Sequence, residues 1–262
     1  MEDTGTYLQR MRATAPLVHN ITNYVAMNVM ANVVLAAGAS PAMVHAREEV
    51  SEFAGLAQAL TVNIGTLDPA WAEAMEMAAQ VMHDAGRPWV LDPVGVGATR
   101  FRKEVCARLL ALRPTVIRGN ASEVLALAGI GASGRGADAA DSVADAEDAA
   151  RDLAARIGAV VAVSGPVDFV TDGAVAFRVA NGHALMPRVT ALGCAMNGVI
   201  AAFLVGQAAL PATVAAMAYY GLAGERAALT ASGPGGFQTA FIDALYSLTP
   251  DALTAGARVE LA

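Results

Sequence analysis

Asp92, in the string Leu91-Asp92-Pro93-Val94-Gly95, closes a short apolar run with a carboxylate, and Gly95 and Gly97 follow it. Glycines there would let the backbone approach a ligand closely. A second cluster, Arg118-Gly119-Asn120-Ala121-Ser122-Glu123, places a cation just ahead of an Asn and a Glu three residues apart. A third, Thr190-Ala191-Leu192-Gly193-Cys194, opens a long apolar helical stretch, whose unpaired N–H groups and dipole favour an anion. Carboxylates for a divalent cation, with a guanidinium and main-chain N–H groups for developing charge, are the parts that phosphoryl transfer requires. On spacing alone, Asn120 with Glu123 equally spells a capping box that needs no chemistry. Cys194 at a helix start is expected to carry a lowered thiol pKa, although a small residue packed in a helix is the commoner meaning of a lone cysteine.

These groups need a scaffold that brings strand ends together. Short β-branched runs alternate with helical ones: PLVHNIT before NYVAMNVMANVVLAAG, ALTVNIG before PAWAEAMEMAAQVMHDAG, and PWVLDPVG before TRFRKEVCARLLAL. Runs such as Trp89 to Leu91 and Val160 to Val163 lack polar alternation, which predicts parallel strands covered on both faces. The fold class is therefore α/β with a mainly parallel central sheet. Strings VDFVT and AVAFRV flank Asp172-Gly173, so one antiparallel hairpin is expected near 167–179. Beyond Arg188 the pattern is almost wholly helical through Tyr246, and residues 1–262 read as one domain.

Composition narrows the function. The chain has 262 residues, 55% hydrophobic and 16% charged, with mean hydropathy +0.45, net charge −7 and pI about 5.0. No Lys/Arg cluster exists to release counterions from nucleic acid or an anionic membrane. Cys106 and Cys194 cannot build a disulfide framework, and MEDTGTYLQRMR has no signal-peptide core, so a cytoplasmic protein is expected. The uncharged stretch between Arg188 and Glu225 is long enough for a bilayer, but Asn197, Gly206-Gln207 and Pro211 interrupt it. It reads as two buried helices. Gly129 to Gly134 match G-x-G-x-x-G but follow a helical string rather than a strand, which predicts a helix C-cap and loop. The four histidines lack zinc-ligand spacing.

Taken in order from Pro16 to about Leu248, the strings PLVHNITNYVAMNVMAN, GASPAMVHAREEV, TVNIGTLD, VLDPVGVGATRFR, VIRGNASE, VAVSGPVDFVTDG, NGHALM and GPGGF resemble the hydroxyethylthiazole kinase family. The resemblance implies a ribokinase-like three-layer α-β-α sandwich with eight or nine strands, and a homotrimer with active sites at subunit interfaces. It implies phosphorylation of the hydroxyl of 4-methyl-5-(2-hydroxyethyl)thiazole in thiamine salvage, with ATP and Mg2+. Residue by residue, it assigns Asn23, Met43, Gly65, Ala191 and Gly193 to the alcohol, Arg118 and Ser164 to ATP, and Asp92 and Glu123 to magnesium. A polarizable Met43 thioether suits a flat ring. Cys194 stands where related sugar kinases carry an aspartate base, and the loose transition state of phosphoryl transfer demands little early deprotonation.

One segment departs from the family pattern V-T-G-[TA]-G-C: here it reads Val189-Thr190-Ala191-Leu192-Gly193-Cys194. Where that position needs φ > 0, Ala191 brings a steric penalty, and Leu192 puts a bulky side chain into a loop of small residues. The departure leaves open a ligand-binding relative without catalysis; among enzymes the alternative is a kinase for another vitamin-like heteroaromatic alcohol, since the superfamily that the resemblance implies reuses one phosphate site with varied pockets.

Overall fold

The computed structural model describes residues 2–129 and 143–262. Its strands are Leu17–Ile21 (β1), Ser40–Ala42 (β2), Ala59–Asn63 (β3), Trp89–Asp92 (β4), Val116–Asn120 (β5), Val160–Ser164 (β6), Asp168–Thr171 (β7), Ala176–Val179 (β8) and Val259–Leu261 (β9). They join in one sheet, ordered β2-β1-β3-β4-β5-β6-β7-β8-β9. Strands β1 to β6 run parallel, and β7, β8 and β9 are antiparallel to their neighbours.

The unbroken apolar runs have a simple cause. Successive side chains leave a strand on opposite faces, and both faces here are covered. Val90, Val116, Val160 and Ala162 enter one apolar layer, while Leu91, Ile117, Val161 and Val163 enter the other. The first layer is closed by helices Thr4–Thr14 (α1), Met27–Ala37 (α2), Leu192–Leu204 (α8), Ala209–Ala228 (α9) and Pro234–Ser247 (α10). The second is closed by Val50–Leu56 (α3), Pro69–Asp84 (α4), Arg100–Ala111 (α5), Ala121–Ala128 (α6) and Val143–Ile157 (α7). Pro250–Gly256 (α11) adds Leu253 to the first layer. The result is the expected α-β-α sandwich.

The hairpin lies where the sequence predicts it: Thr171 pairs with Ala176, and Gly173 takes φ +95 in the turn. The uncharged stretch after Arg188 folds as α8 and α9, with Gly206 at φ +69 between them. No described helix is long and apolar enough to cross a membrane. Gly129 caps α6 at φ +79, as anticipated, and the rest of the G-x-G-x-x-G match lies outside the described residues. Strand β9 was not anticipated, because Val259, Glu260 and Leu261 carry too short a pattern to announce an edge strand.

Helix α8 does most to shape the carboxyl edge of the sheet, since it crosses β1, β3 and β4 and packs along α2. Gly198 allows that approach. A Cβ at this position would lie 2.6 Å from the Val34 methyl of α2. Ala is favoured over Gly in a helix by about 1 kcal/mol, but overpacking costs roughly 1–3 kcal/mol. Gly198→Ala is therefore expected to lose about 1 kcal/mol net, read as a lower urea midpoint at unchanged slope.

Candidate active site

Parallel strands that end together leave a crevice at their carboxyl edge. Asn63 ends β3 and Asp92 ends β4 in direct register, and Asn120 of β5 is opposite Ser164 of β6. The start of α8 is laid over this edge, which brings Gly193, Asn197 and Cys194 to residues 75, 105 and 171 positions earlier.

Asp92 is only 2% exposed. Its Oδ2 accepts from Asn63 Nδ2 at 2.6 Å and Asn197 Nδ2 at 2.7 Å. Burial pushes its carboxyl up to about 7; Glu123 adds to the rise, while Arg118 and the two amides oppose it. Asn63 Oδ1 in turn accepts from Asn23 Nδ2 and from the Gly65 N–H, both at 2.9 Å. Asn23 Oδ1 accepts from the Ala26 N–H at 3.0 Å, and its amide reaches Cys194 Sγ at 3.4 Å. A Cβ on Gly65 would fall 2.8 Å from the Asn23 side chain, so this glycine makes room for Asn23.

Glu123 does form the capping box. Its Oε2 accepts from the Asn120 N–H at 2.9 Å while Asn120 Oδ1 accepts from the Glu123 N–H. Oε1 accepts from the Gly95 N–H at 3.0 Å, so the cap also grips the turn after Asp92. Arg102, which no sequence motif singles out, holds the same turn from the other side. Its guanidinium donates to the carbonyls of Ile64 and Val94 at 2.6 Å and of Gly65 at 2.5 Å.

A cavity of about 720 Å³ opens at Arg118, and its lining includes Ser164, Asp168, Met186, Gly193 and Tyr220. Arg118 Nη1 donates to the Gly193 carbonyl at 3.0 Å, and its buried Nε has no partner among the described residues. Ser164 Oγ donates to the Gly119 carbonyl at 3.2 Å. The cavity thus collects Arg118, Ser164, Ala191 and Gly193 from the expected set. Asn23, Asp92 and Cys194 are joined by the amide chain, and Glu123 reaches them through the Gly95 turn. Met43 is partly buried against the first apolar layer and is not among the residues lining the cavity.

Asp168 lies within the string VAVSGPVDFVTDG but is given no role by the sequence, and in the structure it lines the cavity. It is 7% exposed, burial pushes its carboxyl up to about 6, and one oxygen accepts from the Gly165 N–H at 2.9 Å. A carboxylate opening an otherwise apolar strand was the available signal. Asn63 and Asn197 offered none, since a buried Asn in an apolar run looks the same whether it packs or bonds.

Two expectations about the α8 start resolve differently. The lowered Cys194 pKa is overturned: burial and nearby Asp92 push the thiol up, outweighing the Asn23 and Asn63 amides and Arg118. The positive φ is real, with Ala191 at φ +65 and ψ −2 immediately before α8. Leu192 is 2% exposed within the first apolar layer, and its carbonyl accepts from Tyr220 Oη at 2.8 Å. The left-handed turn survives without its glycine, at a cost of about 1 kcal/mol for an L-residue.

A nine-stranded, mostly parallel sheet with a carboxylate, a guanidinium and a helix start at its carboxyl edge defines a small-molecule kinase of the ribokinase-like class. The Hydroxyethylthiazole kinase family model matches residues 8–251, and a hydroxyethylthiazole kinase of Cereibacter sphaeroides is 65% identical over 262 residues, all of both chains. The chain belongs to the hydroxyethylthiazole kinase family. The solved hydroxyethylthiazole kinase protein of Pyrococcus horikoshii OT3 superposes with TM-score 0.92 at 40% identity, covering 99% of this chain and 98% of that one. The pyridoxal kinase of Staphylococcus aureus in complex with ADP shares the fold, with TM-score 0.62 at 17% identity, over 80% of this chain and 88% of its own.

Two measurements probe this geometry. Asp92 has a folded pKa of about 7, above the roughly 3.9 of an unfolded carboxyl, so the native state binds its proton more tightly. The stability this contributes is complete below about pH 4 and is lost as pH rises through about 7. Asp92→Asn keeps a carbonyl for both amides and removes the buried charge. In metal-free buffer it should melt above the parent at pH 8, with the gap closing toward pH 5. Ala191→Gly should gain about 1 kcal/mol in chemical denaturation, because glycine accepts φ > 0 without strain.

Proposed function

We propose that the chain transfers the γ-phosphoryl group of ATP to the hydroxyl of 4-methyl-5-(2-hydroxyethyl)thiazole, with Mg2+, as the salvage step of thiamine synthesis. One observation carries the reading: the contact of Asn23 with Cys194 joins the expected alcohol loop to the anion-favouring start of α8. Asn23, Met43 and Gly65 form the alcohol side, and Ala191 and Gly193 face its reacting end. Arg118 and Ser164 line the 720 Å³ cavity and take the nucleotide.

Asp92 and Glu123 hold magnesium in this reading. Two hard carboxylates, Asp92 at the end of β4 and Glu123 in the first turn of α6, fit that ion, which is commonly held by one or two carboxylates, substrate phosphates and water. Asp92 has one oxygen without a protein hydrogen bond among the described residues, and each Glu123 oxygen accepts one backbone N–H. When bound, magnesium supplies charge neutralisation for the phosphates.

The chain's own residues orient. With its pKa raised, Cys194 stays a thiol at neutral pH and acts as a hydrogen-bonding partner for the hydroxyl rather than as a strong base. A loose transition state permits this, because the hydroxyl proton leaves late, passing to an oxygen of the transferred phosphoryl group or to water. Arg118, which lines the cavity and is steadied by its Nη1 bond to the Gly193 carbonyl, offers its remaining guanidinium N–H groups to the transferring charge. The retained left-handed turn at Ala191 supports catalysis over a purely ligand-binding role.

Residues 1–262 form one kinase domain in this reading, a cytoplasmic homotrimer with its sites between subunits. Exposed Leu35 on α2 and Tyr246 on α10, two helices that pack together, supply apolar surface for such an assembly.

ADP release measured with Mg-ATP and a panel of heteroaromatic alcohols tests the reading. The thiazole alcohol should be turned over with the highest kcat/KM; no ADP from it sinks the proposal, and preference for a pyridine or pyrimidine alcohol redirects it. Met43→Ala should raise the KM for the alcohol about tenfold, as expected for losing ring contacts of about 1–1.5 kcal/mol, and leave that for ATP unchanged. Equal loss of both would contradict the pocket assignment.

A further inference from the structure

Beneath the mouth of the sheet, side chains form a continuous hydrogen-bonded line: Asp92, Asn63, Asn23, Cys194. An amide could in principle face either way, since its oxygen and nitrogen are similar in size. Asn63 has no such freedom. On one side it meets Asp92 Oδ2, which already accepts from Asn197, so Asn63 must present its NH2 there. On the other it meets the Gly65 N–H, which can only donate, so it must present its oxygen. Turning the amide over would set oxygen against oxygen and N–H against N–H. At 1% exposure, water could not relieve either clash.

That orientation propagates. Because Asn63 Oδ1 is an acceptor, Asn23 must offer it an N–H, and the Ala26 N–H independently takes the Asn23 oxygen. Only N–H hydrogens are left on Asn23 to meet the Cys194 sulfur at 3.4 Å. The sulfur is therefore an acceptor toward the protein, and its own hydrogen is free for a different partner.

We propose that Asn63 is a positioning residue that sets this polarity: through Asn23 it holds the Cys194 sulfur as an acceptor and leaves the S–H for the reacting oxygen of the alcohol. The identity of that oxygen rests on the phosphoryl-transfer reading. The polarity of the line does not.

Alkylation of Cys194 by iodoacetamide, followed by intact mass on the full chain at fixed pH, separates the two. Cys106 is 1% exposed, so Cys194 is the thiol that reacts. In Asn63→Ala the Asn23 amide loses the acceptor that holds it, the sulfur also loses the adjoining Asn63 amide, and alkylation should slow roughly tenfold, the effect of a hydrogen bond to a charged group. A residue that merely fills volume would act oppositely, since loosening the site exposes the thiol. Asn63→Leu, close in volume and without an acceptor, is the second variant and should slow alkylation likewise. In both, kcat should fall while the KM for ATP holds within about twofold, as for loss of an interaction made at the reacting end. Alkylation at the parent rate or faster, in either variant with a cooperative melt, overturns the proposal. If the parent itself makes no ADP from the thiazole alcohol, the kinase reading fails, and the alkylation rates still decide the role of Asn63.

Discussion

A carboxylate held almost wholly out of water is expensive unless every neighbour answers it, and the core of this chain is arranged around one. Asp92 ends a strand whose other members are apolar, and two amides converge on one of its oxygens. One amide belongs to the adjacent strand in register, the other to a helix reached only after about a hundred further residues. The β3–β4 register and the path of α8 must therefore both be right before the charge is satisfied. Gly198 permits that path by letting α8 settle against α2, and the paired apolar layers hold the sheet between them.

The features legible in the sequence were those written in local pattern. Doubly buried strands appear as unbroken apolar runs, so β4 and β6 and the parallel sheet could be read. Asp172-Gly173 announced its turn, and Gln207 and Pro211 separated two helices from a membrane span. Asp92 was visible because a carboxylate interrupts hydrophobicity at a strand end. The Asn120–Glu123 cap was legible too, and the spacing left room for Glu123 to grip the Gly95 turn as well.

What sequence could not show was whatever depends on distant partners. Asn63 and Asn197 are ordinary letters until the long stretch of chain between them folds and places both on one oxygen. The Cys194 expectation failed for a related reason. A helix N-terminus lowers a thiol pKa when the thiol is also solvated, but here burial and the Asp92 charge prevail. The positive φ at Ala191 shows that backbone shape can outlast the residue best suited to it when a buried Leu192 and the Tyr220 hydroxyl anchor the next turn.

Arg102 has a mechanical consequence. One guanidinium fastens three carbonyls from the ends of β3 and β4, while Glu123 secures the neighbouring Gly95 amide. Loosening this rim would break several charge-assisted bonds at once, so it acts as a rigid anvil rather than a hinge. Any opening and closing that accompanies ligand exchange then falls to residues 183–189 on the cavity wall, whose hydrogen bonds among the described contacts stay within the segment, beyond the anchor of Asn181 and Gly182 on Glu225.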